Sequence, residues 1–187
     1  MAHRSTLVPR QPVPALRLKL AGDGSFDLRT EKPERFTLLV FYRGLHCPIC
    51  KGQLKDLEAK LPEFDKRGVS VVALSSDAQD RAERAKADWG LANLRLGYGL
   101  DLSAALDWGL YISTGRGPTS AGIEEPPLFS EPAIYLVRPD GTLYFGSVQT
   151  MPFARPHFAD ILSAIDVVVA KDYPARGEVV DLPRAAA

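Results

Sequence analysis

Only two residues of the 187-residue chain carry a thiol, Cys47 and Cys50, and they stand three positions apart in "FYRGLHCPICKGQL" (41–54). Two thiols at that spacing can close into a disulfide and reopen, or supply half of a metal site. The metal reading is short of ligands, because a structural zinc takes four and the remaining candidates, His3, His46 and His157, include no second closely spaced pair. Two adjacent core cysteines acting only as small hydrophobes form a third reading. What flanks the pair favours redox use. An apolar run precedes it, and Pro48 lies between the two thiols, suited to the first position of a helix because its missing N–H has no partner there. Cys47 is then the expected N-cap and Cys50 the third residue of the first turn. Both sulfurs would lie at unpaired N–H groups and the positive end of the helix dipole, which favours thiolate over thiol. A cysteine so placed falls from about 8.5 to about 3.5–7.5, and the thiolate is the nucleophile. One member can attack while the other resolves.

The elements that must position this turn are legible on either side of it. "RFTLLVFYR" (35–43) is nearly continuous apolar sequence, as in a strand covered on both faces. After Cys47, Leu54, Leu57, Leu61 and Phe64 recur at helical spacing, and Gly68 ends the pattern. "VSVVALSS" (69–76) reads as a second buried strand, "DRAERAKADWG" (80–90) as a helix, "LRLGY" (94–98) as a strand and 102–110 as a short helix. A hairpin is expected over 15–28 and another over 133–148, turning at Pro139-Asp140-Gly141, before an apolar-striped helix over 157–173. Alternation of strands and helices predicts an α/β fold, a mixed central sheet flanked by helices with an N-terminal hairpin extension. Residues 112–131, rich in Gly and Pro and without periodicity, read as one long loop of the kind that often serves as a lid or binding loop. Trp89 and Trp108 read as core, and Gln53 as helix surface. The expected organisation is a tail over 1–11, one domain over 12–172 and a loose tail over 173–187.

Composition narrows the partners. The chain has 23 basic and 23 acidic residues, so nothing points to a nucleic-acid or anionic membrane surface. The first residues lack the apolar core of about 7–15 residues that a secretory signal requires, and no run reaches the roughly 20 apolar residues of a membrane span. A cytoplasmic address is expected, where pairing of two cysteines is transient rather than permanent.

The motif resembles the thioredoxin-fold superfamily and, more closely, the AhpC/TSA peroxiredoxin-like (redoxin) branch, in its subgroup with a C-x-x-C. The family carries F-Y-P-x-x-x-T-x-x-C, with the last residue as peroxidatic cysteine. Phe41, Tyr42 and Cys50 match at the same spacing, while Cys47 takes the threonine's place and Arg43 the proline's. "YLVRPDGTLYF" (135–145) resembles the family's strand, turn and strand. The resemblance covers roughly residues 12–172 and implies a thioredoxin-like fold. It also implies a thiol-disulfide oxidoreductase or thiol-dependent peroxidase that cycles a Cys47–Cys50 dithiol without cofactor or metal. The implied substrate is a peroxide or a protein disulfide, the reductant an external thiol such as a thioredoxin or glutathione system, and the assembly a homodimer.

Departures from the family bear on the site. Pro132 stands where peroxiredoxins carry an arginine from a later strand, and thioredoxins carry a cis-proline there facing the C-x-x-C. The resemblance therefore implies a cis-proline at Pro132. A thioredoxin-like mechanism makes Cys47 the first nucleophile, whereas a peroxidase mechanism makes Cys50 form the sulfenic acid that Cys47 resolves. His46, if protonated, is a candidate thiolate stabiliser, against the reading of a partly exposed loop histidine. Arg43 is a candidate source of positive charge, against the reading of a surface arginine at a strand end. Outside enzymes, the alternative is a redox-sensing or partner-binding scaffold in which disulfide formation reshapes residues 112–131.

Overall fold

In a computed structural model that describes residues 4–181, the elements in chain order are β1 (Arg17–Leu20), β2 (Ser25–Asp27), β3 (Phe36–Phe41), α1 (Pro48–Asp65), β4 (Val69–Leu74), α2 (Gln79–Trp89), β5 (Leu96–Tyr98), α3 (Leu102–Asp107), β6 (Ile112–Thr114), β7 (Leu128–Ser130), β8 (Ala133–Val137), β9 (Leu143–Val148) and α4 (Phe158–Lys171). Seven strands form one mixed sheet in the order β2-β1-β5-β4-β3-β8-β9. The two most apolar stretches lie at its centre. β3 and β4 pair in parallel from Phe36 opposite Val69 to Phe41 opposite Leu74, and β8 runs antiparallel to β3 with Ala133 opposite Phe41.

Every residue of β3 is buried because both faces of the sheet are covered. Alternate side chains divide between two cores, as strand geometry requires. Leu38, Val40 and Tyr42 pack with Leu54, Leu57 and Phe64 of α1 and with Phe158, Ile161 and Ile165 of α4. Leu39 and Phe41 face the other way, into a cluster with Trp108, Tyr135 and the hairpin residues Leu18 and Phe26. Both tryptophans are core residues, Trp89 against Tyr42 and Trp108 against Phe41. Among the described residues no helix is long and apolar enough to cross a membrane.

Two expectations change. Residues 112–131 are not a structureless loop, since β6 and β7 pair antiparallel within them, Ile112 opposite Ser130 through Thr114 opposite Leu128. Strands of three residues are too short to show a period of two. The C-terminal segment is not loose over its described part: Ala175 is buried, its carbonyl accepts a hydrogen bond from Arg10 Nε at 2.9 Å, and Arg10 also pairs with Glu178. His3 and residues 182–187 lie outside the described residues.

β3 delivers the chain to the cysteine turn through Gly44. Its φ is +138° and a Cβ there would lie 2.7 Å from Asp77 Oδ1, so the position admits only glycine. Asp77 comes so close because its carboxylate accepts the Leu45 N–H at 2.6 Å and pairs with Arg81 at 2.9 Å. The substitution Gly44→Ala should therefore destabilise the protein by about 1–3 kcal/mol from backbone strain, with further loss from displacing Asp77. A lowered denaturant midpoint at unchanged slope is the expected reading, and an unshifted midpoint would show that the turn relaxes freely.

Candidate active site

Cys47 caps α1. Its backbone is extended (φ −97°, ψ 104°), its sulfur accepts the Cys50 N–H at 3.3 Å, and Pro48 occupies the first helical position. A turn closed by the Cys47 N–H on the Gly44 carbonyl at 3.1 Å joins the cap to the end of β3. Both thiols are free and buried, Cys47 1% exposed and Cys50 0%.

The two sulfurs differ in charge. The Cys50 thiol donates to Cys47, and this bond, more than the Cys50 amide and the charges of Arg155 and Arg43, draws Cys47 down to about 6 against the cost of its burial. Cys50 moves the opposite way. Burial pushes it well above its ordinary value, and the adjoining Cys47 pushes it further. The expectation that the helix end favours thiolate at both sulfurs thus holds for Cys47 alone, because a second anion in the same buried turn would be repelled by the first.

Sequence reasoning missed the residue that touches both sulfurs. Arg155 Nη2 lies 3.3 Å from Cys50 Sγ and 3.8 Å from Cys47 Sγ. Its Nε donates to the Pro152 carbonyl at 2.8 Å and its Nη1 to Gln53 Oε1, so Gln53 is not simply helix surface. Arg155 comes from the connection between β9 and α4, which passes over the first turn of α1. Beside the sulfurs this connection bounds a cleft of roughly 260 Å³ lined by Ile49, Gly52, Gln53, Phe153, Pro156 and Phe158. The one signal available in the sequence was negative, a missing cation at the Pro132 position.

The proposed supporting residues come near the turn in other roles. Arg43 is no surface arginine: it pairs with Glu125 at 3.1 Å and Glu131 at 3.4 Å and lies over the Phe129 ring. Its charge reaches Cys47 only as the smallest of the effects that lower it. His46 is neither protonated nor partly exposed. It is fully buried against Phe129, and burial, with the charges of Arg43 and Arg81, holds it down to about 4. Pro132 follows a trans peptide, since the described chain has no cis bond. Trans is the intrinsic preference by about 0.5–1 kcal/mol, and here Glu131 is held in an extended path by its N–H on Tyr111 O and by Ser113 on its carboxylate. Among the described residues no three His, Cys, Asp or Glu side chains converge as a metal site.

The AhpC/TSA family model matches residues 9–145. The chain belongs to the AhpC/TSA family. It is a thiol-dependent oxidoreductase with a thioredoxin fold. Solved structures agree on the fold. The peroxidoxin BcpB of Mycobacterium tuberculosis superposes with a TM-score of 0.68 at 15% identity, over 87% of this chain and 99% of that one. The reduced 2-Cys peroxiredoxin of Plasmodium vivax gives 0.71 at 19% identity, over 90% and 84%. AhpC of Enterococcus faecalis gives 0.68 at 13%, over 90% and 98%. No curated relative matches the sequence at a significant level. Arg155 lies beyond the residues matched by the family model.

These ionisations set the pH dependence of the reduced protein. Cys47, lowered from 9.0 to about 6, has lost in the folded state a proton that the unfolded chain still holds, so stability rises with pH across that window. His46, lowered from 6.5 to about 4, acts with the same sign between those values. Above 9.0 the sign reverses, because folded Cys50 keeps a proton that the unfolded chain gives up. Denaturant midpoints of the reduced protein should climb to about pH 9 and then fall, and Cys47→Ser should flatten the climb above pH 6.5. Iodoacetamide should alkylate one thiol with a half-maximal rate near pH 6. A profile centred near 9.0 for both thiols would contradict the assignment.

Proposed function

We propose that this protein is a thiol-dependent peroxidase in which Cys47 attacks the peroxide and Cys50 resolves. The unequal ionisation of the pair carries the reading. At pH 7 a thiol at the ordinary value of about 8.5 is about 3% ionised, and one near 6 about 90%. Burial supports the substrate class, since a hydroperoxide reaches cysteines that are 1% and 0% exposed more readily than a folded protein disulfide does.

The Cys47 thiolate attacks the terminal oxygen of R–O–OH, the O–O bond breaks, and the departing alkoxide takes a proton to leave as alcohol. Cys47 is now a sulfenic acid. Cys50 gives up its proton and attacks Cys47 Sγ; the S–O bond breaks and hydroxide leaves with that proton as water. Two electrons have passed from the dithiol to the peroxide. An external dithiol of the thioredoxin type, or two molecules of glutathione, returns them by thiol–disulfide exchange. The order is the reverse of the one that the family spacing implies, where the residue at the Cys50 position attacks first.

A second reading, the redox-sensing scaffold, is favoured by the ties between residues 112–131 and the cysteine turn. Thr119 Oγ1 donates to the His46 carbonyl at 2.6 Å, Arg81 to the Glu124 carbonyl at 3.2 Å, and Arg43 to Glu125 at 3.1 Å. Slow turnover with every reductant, together with proteolysis in this segment only after oxidation, would favour it over the peroxidase.

In the test of order, Cys50→Ser should consume one equivalent of peroxide and leave a sulfenic acid that dimedone traps, while Cys47→Ser should fall to the background rate. Trapping in Cys47→Ser with an inert Cys50→Ser would restore the family order. An absence of peroxide consumption in the unmodified protein would remove the peroxidase reading.

A further inference from the structure

The second half of the proposed cycle poses an electrostatic problem. Cys50 must ionise before it can attack, yet burial holds its proton on. The neighbouring groups offer little help. Tyr42 is fully buried, and burial keeps its hydroxyl protonated. His46 is neutral at pH 7. Arg43 is committed to Glu125 and Glu131, and Arg81 to Asp77.

Arg155 is different. Among the described residues it has no carboxylate partner, and its hydrogen bonds go to the Pro152 carbonyl, Gln53 and the two sulfurs. An arginine side chain is a permanent cation, and among the described residues the groups it faces that can carry negative charge are the two sulfurs. One nitrogen, Nη2, reaches both sulfurs, so the negative charge can pass between them without movement of the side chain.

We infer that Arg155 is a catalytic residue for disulfide closure, its guanidinium stabilising the anion first on Cys47 and then on Cys50 as the negative charge moves across the pair. When the first step neutralises Cys47, the half-buried guanidinium loses its counter-charge, which favours ionisation of the thiol 3.3 Å away. The Cys50 proton leaves with the displaced group, the S–S bond forms as the bond from Cys47 to that group breaks, and no further oxidant is needed. The inference rests on the proposed order of attack but not on the peroxide, because any group attached to Cys47 must be displaced in the same way.

The size of the effect follows from two opposing terms. Loss of an adjacent opposite charge raises a pKa by about 1–3 units. Each tenfold loss of thiolate is partly offset because the remainder is a stronger nucleophile, with a Brønsted coefficient of about 0.4–0.5, so closure should slow by roughly 3- to 60-fold. Arg155→Met and Arg155→Lys would be compared with the unmodified protein using dipyridyl disulfide, an uncharged reagent whose released thiopyridone is coloured. The first equivalent reports attack by Cys47 and the second reports closure by Cys50.

Arg155→Met should slow the second release by roughly 3- to 60-fold and the first by less. Raising the pH should restore its second phase, and Arg155→Lys, which keeps the charge, should recover most of the rate at neutral pH. A merely structural role would give neither the pH rescue nor the lysine rescue. A second release as fast as in the unmodified protein, from an Arg155→Met variant that melts normally, would overturn the inference. So would a loss confined to the first release. If Arg155→Met fails to fold, Arg155→Lys beside Arg155→Gln decides the same question. Because the reagent is not a peroxide, a protein that closes its disulfide in this assay but consumes no peroxide would disprove the peroxidase and leave the role of Arg155 standing.

Discussion

A buried turn with two neighbouring thiols can hold one negative charge easily and two only at great cost, and the geometry around Cys47 and Cys50 follows from that limit. The helix end supplies the first charge with a backbone N–H at 3.3 Å, and the proton retained on Cys50 supplies a second donor. What makes Cys47 acidic therefore adds to the burial that keeps Cys50 protonated. The two roles are thus linked rather than independent, and any step that consumes the anion on Cys47 removes one of the two causes, after burial, that keep the proton on Cys50.

Holding the sulfurs in register demands a rigid approach from the sheet. β3 is buried along its whole length, and the turn after it is fixed by Gly44, by the Leu45 N–H on Asp77 and by the Cys47 N–H on Gly44. Asp77 in turn belongs to the connection after β4, the strand that pairs with β3 residue for residue. The parallel pairing of the two most apolar segments thus places a carboxylate beneath the cysteine turn. A central strand pair chosen by hydrophobic burial does the positioning, and the polar contacts only trim it.

Much of this was legible in the chain. The strand, the N-cap at Cys47, Pro48 at the first helical position and Leu54, Leu57 and Phe64 facing inward are local patterns, and local patterns survive folding when the core agrees with them. His46 and Arg43 show where locality ends. Their sequence neighbourhood suggested charges beside the thiols, but Phe129 from β7 buries the one and Glu125 and Glu131 occupy the other. All three partners lie more than 70 residues away in the chain. Pro132 failed for a different reason: the resemblance supplied a conformation, while the contacts that decide it, Glu131 with Tyr111 and Ser113, belong to a small sheet too short to be read from periodicity.

Arg155 marks the limit most clearly. Nothing in "MPFARPHF" (151–158) announces a site, yet the position follows once the fold is known. A cation for the sulfurs cannot come from the start of β8, where Pro132 stands, and the arginine at the end of β3 is neutralised by two carboxylates. The remaining route is the segment that links the edge strand β9 to α4. α4 packs on α1 through Phe158 against Phe64, the segment before it lies against the start of α1 through Arg155 on Gln53 and Cys50, and Pro152 and Pro156 on either side of Arg155 restrict its path. The cation is thus delivered by the segment leading into α4 rather than by the sheet, which explains how it can lie beyond the matched family pattern and still reach the same pair of sulfurs.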